Sequence, residues 1–231
     1  MSQYQIVVTD IVIEFLEVAF NNILYLRKFY PAEMFAEKKI YSTVTHVSRH
    51  PQLNDYTDNV LKTIRQLLIT DRSIISSINL VLIDKHKRII EKYVFNFSSL
   101  PYNDKDPYFV DTEQHLRNLC LRLSMATSYL AALPEESSFS ISMETRKSAC
   151  VTLTENSVSQ SFPWILDDGT TDLAGADSDG RPDDKNLLPL AAVKSLALEI
   201  YLLGAMKTLP KMFFRVFFFE KRLSNKLNAK L

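Results

Sequence analysis

Glycine is scarce in this chain, since only four of its 231 residues are glycine. Three of the four lie in one acidic loop, residues 168–184, so the backbone freedom of the chain is concentrated there. With so few glycines the chain has no Walker phosphate loop and no dinucleotide-binding fingerprint. It also lacks the Gly-x-Ser-x-Gly elbow of a hydrolase. We therefore predict a protein that is not an enzyme and that needs no cofactor.

Cysteine and histidine are also few. The two cysteines, Cys120 and Cys150, lie far apart, so no disulfide framework is visible and a reducing, intracellular compartment fits best. The four histidines lack metal-ligand spacing to one another or to a cysteine. The acidic loop is rich in aspartate but lacks the distal glutamate of a calcium loop. The sequence therefore predicts no metal site.

Neither sign of charge is in excess, because Lys+Arg and Asp+Glu both number 27. A neutral chain does not hold nucleic acid by bulk charge, so no strong direct nucleic-acid binding is expected. No uninterrupted apolar run reaches the roughly 20 residues of a membrane span, and no signal peptide opens the chain. A membrane partner is therefore not expected from the body of the chain.

Three segments have helical periodicity. The first runs from about Tyr4 to Tyr30 and is expected to end at Pro31, because the residue before a proline avoids helical backbone. The second opens at His50-Pro51, where proline in the first turn is tolerated. The third is expected to be capped by Asp111 with Gln114 three residues later. These spacings predict three α-helices.

Several other segments favour strands. Residues 74–83 and 89–97 flank five charged or polar residues and predict a β-hairpin. Residues 139–143 alternate apolar residues with serine, as in a half-buried strand, and residues 151–154 are a weaker candidate. Residues 38–47 are expected to form a loop leading into a possible strand. Residues 190–203 fit a helix and a strand equally well, and periodicity alone does not decide between them.

The only tryptophan, Trp164, stands in Phe162-Pro163-Trp164-Ile165-Leu166. The acidic loop follows, and then a second apolar segment, Leu187-Leu188-Pro189-Leu190. Two rigid apolar anchors joined by a solvated loop can close over a partner. The alternative is that Trp164 is a core residue beneath a long loop, since aromatic residues usually pack.

Residues 209–231 differ from the rest of the chain. They hold five phenylalanines between Met212 and Phe219 and six basic residues against one acidic residue. Such a segment suits an anionic membrane or nucleic acid. It equally suits a covering strand or helix, or a poorly ordered end. We predict that this Phe-rich basic tail lies outside the core fold.

Several motifs occur together in the order found in one protein family. They resemble HORMA-domain proteins and, within them, the branch of the accessory subunit of DNA polymerase zeta. The motifs are Ile13-Glu14-Phe15-Leu16-Glu17-Val18-Ala19, His50-Pro51-x-Leu53-x-x-Tyr56, Glu113-Gln114-x-Leu116-Arg117 and Phe162-Pro163-Trp164-Ile165-Leu166. The resemblance extends from about Ile11 to Tyr201.

The resemblance implies an α/β (α+β) fold in which three helices pack on a mostly antiparallel sheet. It implies a HORMA domain over residues 1–208, with a C-terminal safety belt over residues 150–208. It also favours strand for residues 190–203, because the belt re-enters the sheet there.

The same resemblance implies a non-catalytic adaptor of translesion DNA polymerase zeta in the nucleus, acting in DNA damage tolerance. A proline-containing peptide of the catalytic subunit would lie along the sheet edge beneath the belt. The residues that match its contacts are Tyr56, Trp164 and Leu187. From the sequence alone, Tyr56 fits a core position as well as it fits a contact with the peptide. The alternative function is a spindle-checkpoint or meiotic HORMA adaptor that binds a closure motif of another partner.

Further partners follow from the family. Leu187, Glu199 and Tyr201 match positions that dock a second polymerase, the deoxycytidyl-transferase scaffold of translesion synthesis. Arg117 matches a position used when two HORMA domains pair. The plain alternatives are a solvent-facing strand residue for Glu199 and an ordinary exposed helix charge for Arg117.

Overall fold

The computed structural model describes residues 3–97, 108–128, 130, 132–145, 164–167, 187–193, 198–204, 213–216 and 219–220. Three α-helices are present in this part of the chain: α1 (Gln3–Leu26), α2 (Pro51–Thr70) and α3 (Val110–Ser128). The predicted number of helices is confirmed. None of the described helices combines the length and hydropathy needed to cross a bilayer.

Helix α1 ends before the position predicted from Pro31. The Phe29 amide donates to the Leu24 carbonyl and the Lys28 amide to the Tyr25 carbonyl, each at 2.9 Å. This pair of bonds is a Schellman motif, and Lys28 holds its left-handed position with φ of 51°. The sequence does not mark this helix end, because glycine, not lysine, is the usual residue at a left-handed position after a helix. The prediction that the helix continues to Tyr30 is therefore wrong by one turn.

Helices α2 and α3 differ in how they begin. His50 is the N-cap of α2, and its Nδ1 accepts a hydrogen bond from the Leu53 amide at 3.3 Å, so its predicted role at the helix start is confirmed. Helix α3 begins at Val110 after Phe109, which has φ of 56°. Asp111 therefore lies inside the first turn and is not the predicted cap, although its charge still suits a helix N-terminus.

A two-stranded hairpin lies between α1 and α2. It pairs β1 (Phe35–Ile40) with β2 (Thr43–Ser48) in antiparallel register. Tyr41 and Ser42 have φ of 49° and 55°, the backbone of a type I′ turn. The prediction of a loop from residue 38 is wrong for residues 38–40, which belong to β1. The sequence does not reveal this hairpin, because Tyr41-Ser42 lacks the Asn-Gly pair that is usual in such a turn.

The main sheet is antiparallel throughout its described pairings. Its first six strands in chain order are β3 (Ile75–Ile83), β4 (Ile89–Phe97), β5 (Ser138–Thr145), β6 (Trp164–Asp167), β7 (Leu187–Val193) and β8 (Leu198–Gly204). The predicted β3–β4 hairpin is confirmed. Strands β7 and β8 also confirm strand for the described parts of the ambiguous segment, residues 190–193 and 198–203.

Two further strands come from the tail: β9 (Phe213–Val216) and β10 (Phe219–Glu220). The spatial order is β6-β9-β5-β3-β4-β8-β7, and β10 pairs with β5. The tail therefore contributes to the sheet at these six residues, unlike the prediction that it lies outside the core fold. Phenylalanine and valine favour extended backbone, and the open edge of β5 supplies the pairing that sequence periodicity does not reveal.

The helices and one face of the sheet enclose the core. Phe15 and Phe20 of α1 meet Phe95 of β4 edge-on, with ring centroids 6.3 and 5.6 Å apart. Ser140 and Ser142 on β5 are buried as well, so that strand is covered on both faces and not half-buried as predicted. The acidic loop at 168–184 and the candidate strand at 151–154 lie outside the described residues.

Candidate functional site

The outer edge of β5 is the centre of the candidate site. On its inner edge β5 pairs with β3, and on its outer edge with the tail. Ser142, Met143 and Glu144 stand opposite Arg215, Phe214 and Phe213. Farther along, Phe139 and Ser138 stand opposite Phe219 and Glu220, in a register one residue away from that of the first three pairs.

Tyr56 contacts this edge at the point where the register shifts. The Ile141 amide donates to the Tyr56 hydroxyl at 3.4 Å. An amide that donates to a side chain does not donate across the ladder to β3, so the Ile141 amide faces the outer edge of β5. Tyr56 thus supplies a hydrogen-bond acceptor to a β5 amide that lies between the residues paired with β9 and those paired with β10.

Tyr56 is held in place by helix α2 and by the core. Only 8% of Tyr56 is exposed, and its ring meets Phe139 edge-on at 5.8 Å. Burial raises the pKa of Tyr56, against a smaller opposing effect of the Ile141 amide, so the hydroxyl stays neutral. The ring of Tyr56 thus belongs to the core and its hydroxyl binds a backbone amide of β5, whereas its contact with a partner peptide stays a prediction.

Trp164 opens β6 and lies across the tail from β5. It stands opposite Val216, is partly buried and packs against the hydrophobic core. Ile165, its neighbour in β6, is 46% exposed. The residues 161–163 that precede it, including Pro163, lie outside the described part.

The tail strand brings Tyr56 and Trp164 to one place. Arg215 stands opposite Ser142, the residue next to Ile141 in β5. On one side Val216 has Trp164 opposite it, and on the other the Ile141 amide is bound by Tyr56. Tyr56 and Trp164 therefore lie on either side of β9, and their contact with a partner peptide stays a prediction.

Leu187, the third predicted peptide contact, lies at the opposite edge of the sheet. It stands opposite Leu203 in the β7–β8 pair, five strands away from β9 in the sheet order. The structure does not bring Leu187 together with Tyr56 and Trp164. Its assignment to the peptide site stays a prediction, and its place in the sheet is on the β7–β8 surface.

Glu199 and Tyr201 occupy that β7–β8 surface. The Tyr201 hydroxyl donates to Glu199 Oε2 at 2.8 Å, and both residues are half-buried. This hydrogen bond, together with burial and the Glu199 charge, raises the pKa of Tyr201. Leu187, Glu199 and Tyr201, the residues of the predicted second docking site, thus lie in one hairpin. This hairpin is joined to α3 by a hydrogen bond from Arg122 Nη1 to the Leu190 carbonyl at 2.9 Å.

Arg117 lies on the exposed side of α3. One and two turns further along the helix, Leu121 is 45% exposed and Met125 is 63% exposed. Residues four apart share a helix face, so a cation and two apolar side chains line one exposed stripe. That composition is compatible with a helix–helix contact, and pairing through Arg117 stays a prediction.

Metal ligands and nucleophilic thiols would point to catalysis. No group of three or more His, Cys, Asp or Glu within them is arranged to hold a metal ion. Cys120 is buried, and burial raises the pKa of its thiol to about 11, which disfavours the reactive thiolate. Cys150 lies outside the described part.

Sequence reasoning missed two parts of the site. The Ile141 edge amide is a backbone group, and no sequence pattern marks it. The tail strand carried a signal in its dense Phe and Val content, but β propensity does not say which sheet edge a segment pairs with.

Comparisons with known proteins agree on a family. A HORMA domain model matches residues 8–161. Mitotic spindle assembly checkpoint protein MAD2B of Homo sapiens is 32% identical over 198 residues, which cover 85% of this chain and 89% of that one. DNA polymerase zeta subunit 2 of Drosophila melanogaster is 31% identical over 196 residues, which cover 83% and 93%.

A solved structure shows the same fold. A chain in the crystal structure of the mitotic checkpoint complex matches with a TM-score of 0.62 at 20% identity, covering 87% of this chain and 98% of that one. At that identity the likeness is one of fold.

Proposed function

Because this chain belongs to the HORMA-domain family, in the branch of MAD2B and the DNA polymerase zeta accessory subunits, we propose that it is the non-catalytic adaptor of polymerase zeta. In this role it traps a proline-containing peptide of the catalytic subunit and bridges that subunit to other factors of translesion synthesis. We place this activity in the nucleus, where damaged DNA is copied.

The observation that carries the proposal is the outer edge of β5, flanked by Tyr56 and Trp164. Strand β9 pairs with β5 on one side and with β6 on the other. A peptide strand in the place of β9 therefore has backbone partners on both sides. Edge addition of this kind takes its affinity from main-chain hydrogen bonds and its specificity from side chains.

Tyr56 and Trp164 give this edge its selectivity. Both are rigid aromatic side chains, which lose little conformational entropy on binding and present flat surface to proline rings. The safety belt over residues 150–208 contains Trp164, and a belt closed over the peptide has to open before release. We therefore expect slow dissociation relative to an open groove of similar contacts.

The β7–β8 surface provides the second contact of the adaptor. Leu187, Glu199 and Tyr201 lie on the last two strands of the sheet, β7 and β8, at the end opposite Trp164. A second partner, the deoxycytidyl-transferase scaffold, can bind there without competing for the peptide edge. This separation of surfaces is what a bridging subunit requires.

The proposal is tested by titrating the full-length chain against a fluorescent proline-containing peptide of its own polymerase zeta catalytic subunit. We expect Trp164→Ala to weaken binding by about 2 kcal/mol, roughly 30-fold in Kd, because it removes a central aromatic anchor. Ile165→Ala is the matched control in the same strand. Ile165 is 46% exposed, so we expect less than a threefold change.

Thermal melting separates binding from folding in this experiment. A Trp164→Ala chain that melts far below wild type, yet binds normally per folded molecule, makes Trp164 a core residue and contradicts the proposal. A parallel pull-down from nuclear extract distinguishes the alternative, which the name of the MAD2B relatives favours. Recovery of a spindle-checkpoint activator without any polymerase subunit assigns the chain to checkpoint signalling.

A further inference from the structure

The β7–β8 hairpin is irregular at Leu190. The two strands pair on both sides of this residue, but the register shifts between Pro189 and Ala191, so Leu190 is skipped in the pairing with β8. One extra residue in one strand makes a β-bulge, which leaves that residue unpaired and bends the strand. Pro189 weakens the ladder further, because proline has no amide hydrogen to donate.

This irregular strand has a neighbouring strand on one side only. Strand β7 is the last in the sheet order, so within the described part of the chain it pairs with β8 alone. Helix α3 also packs against β7. Leu190 is 3% exposed and belongs to the hydrophobic core, so the bulge is anchored inward by its side chain.

Arg122 of α3 holds the same bulge by its main chain. Its Nη1 donates a hydrogen bond to the Leu190 carbonyl at 2.9 Å. A main-chain carbonyl that lies at a break in the ladder takes its hydrogen bond from another group, and here that group is a guanidinium. Such a bond is charge-assisted and therefore stronger than a bond between neutral groups.

Arg122 reaches β7 from a fixed position. Leu119 and Leu123 of the same helix are fully buried in the core and hold α3 in place. Arg122 itself lies on the exposed side of the helix, and none of the ion pairs among the described residues involves it. The helix therefore places the guanidinium, and the guanidinium places Leu190.

The predicted docking residues of β8 stand on either side of this bulge. Tyr201 is opposite Pro189, just before the bulge, and Glu199 is opposite Ala192, just after it. A bulge changes the direction in which nearby side chains point. The position of the bulge therefore sets how the hydrogen-bonded Tyr201–Glu199 pair is presented to a partner.

We propose that Arg122 is a positioning residue for the second docking surface. By binding the Leu190 carbonyl it fixes the bulge of β7, and through the bulge it fixes the geometry of the β7–β8 surface. The inference rests on the proposed function, in which a second partner binds this surface. It adds a residue of α3, outside the predicted docking residues, on which that binding depends.

Three variants of the full-length chain test the proposal. Arg122→Met keeps an unbranched side chain but removes every donor, whereas Arg122→Lys keeps a positive charge and a donor for the same carbonyl. Arg65→Met is the matched control. It makes the same change of charge on α2, where Arg65 Nε donates to Asp10 of α1 at 2.8 Å and not to β7.

The first measurement is hydrogen exchange of the main-chain amides, followed by mass spectrometry. We expect Arg122→Met to speed exchange in the β7–β8 hairpin about tenfold, because the bulge loses a hydrogen bond from a charged group. Fragments from β3 keep their rates. Arg122→Lys retains most of the protection, and Arg65→Met leaves the hairpin at the wild-type rate. Unchanged exchange in the Arg122→Met hairpin, or an equal rise throughout the sheet, overturns the proposal.

The second measurement is calorimetric titration with the purified deoxycytidyl-transferase scaffold. We expect Arg122→Met to raise the Kd about tenfold and Arg122→Lys to raise it less than about threefold. The catalytic-subunit peptide is expected to bind all variants equally, since its proposed site is at the other end of the sheet. Weaker scaffold binding without faster exchange makes Arg122 a direct contact of the partner and overturns its positioning role.

Failure of the proposed function gives a different result. If the wild-type chain does not bind the scaffold while exchange still separates Arg122→Met from Arg122→Lys, the second docking function fails and Arg122 still positions the hairpin. If the scaffold binds wild type and both Arg122 variants equally, the docking function stands and the inference fails.

Discussion

Two buried tyrosines show how a single hydroxyl decides whether a residue belongs to the site. Tyr30 and Tyr56 are 5% and 8% exposed, and burial raises the pKa of both. The Tyr56 hydroxyl accepts from the Ile141 amide, whereas the Tyr30 hydroxyl has no hydrogen-bond partner among the described residues. The same substitution at the two positions therefore tests the edge contact.

We expect Tyr56→Phe to lower the free energy of unfolding by about 1 kcal/mol, because a buried amide loses its acceptor. Tyr30→Phe is expected to be neutral or slightly stabilising, since it removes a buried polar group that makes no hydrogen bond. Urea denaturation of both variants measures the difference. Equal losses at the two positions contradict the role given to the Tyr56 hydroxyl.

A buried ion pair joins three elements at one end of the core. Arg27, at the end of α1, donates from Nε and Nη2 to the two carboxylate oxygens of Glu91 at 2.9 and 2.6 Å. Arg27 Nη1 also reaches the Thr127 carbonyl of α3 at 3.5 Å, and the Tyr93 hydroxyl donates to Glu91 at 2.9 Å. The guanidinium thus stands at the C-terminal ends of two helices, where a positive charge is favoured.

We expect Glu91→Gln to destabilise the fold by about 3 kcal/mol, because it leaves the buried Arg27 charge without its counter-ion. Asp10→Asn is the control, since it breaks the Arg65–Asp10 pair between α1 and α2, whose side chains are 41% and 49% exposed. An exposed pair contributes less than about 1 kcal/mol. Chemical denaturation that gives similar losses for both variants contradicts a structural role for the buried pair.

The sequence pattern predicted those elements whose own residues show helical or strand periodicity. The apolar face of α2, including Leu53, Val60 and Ile64, is buried as its spacing predicts. The β3–β4 hairpin formed although its turn lacks Asn-Gly, because the Asp84 carboxylate accepts from the His86 and Arg88 amides at 2.8 Å. Such a side chain holds a turn as well as a glycine does.

The wrong predictions have two physical causes. Lys28, Tyr41 and Ser42 adopt positive φ without being glycine, and a single sequence gives no sign of that. The tail joins β5 because an open edge is available to it, and the pairing of distant strands depends on the assembled fold. The flanking of one strand by Tyr56 and Trp164 is likewise a property of topology, which the family resemblance indicated and periodicity did not.

At the scale of the whole molecule, His46 links stability to pH. Its ring stacks on Tyr25 with centroids 3.3 Å apart, and its Nδ1 lies 3.2 Å from Asn22 Oδ1. Burial lowers the pKa of His46 below its usual 6.5, and the Glu37 carboxylate, directly opposite in the hairpin, works against that effect. The folded protein therefore favours the neutral imidazole.

We expect the free energy of unfolding to fall as pH is lowered from 7.5 to 5.5. In this window the unfolded chain takes up a proton at His46 before the folded chain does, so stability rises with pH. The contribution is fully present above pH 6.5 and is lost as pH falls through the lower folded pKa. Urea denaturation at several pH values measures the slope.

His46→Gln separates this effect from other titrating groups. Burial, aided by Asp58, raises the pKa of Glu17, which favours the folded state as pH falls and so opposes the His46 trend. Both chains keep Glu17, so the difference between their slopes belongs to His46. Glu37→Gln removes the opposing charge, lowers the pKa of His46 further and extends the loss to lower pH. A His46→Gln chain with the wild-type slope excludes His46 as the source, because no other change separates the two proteins.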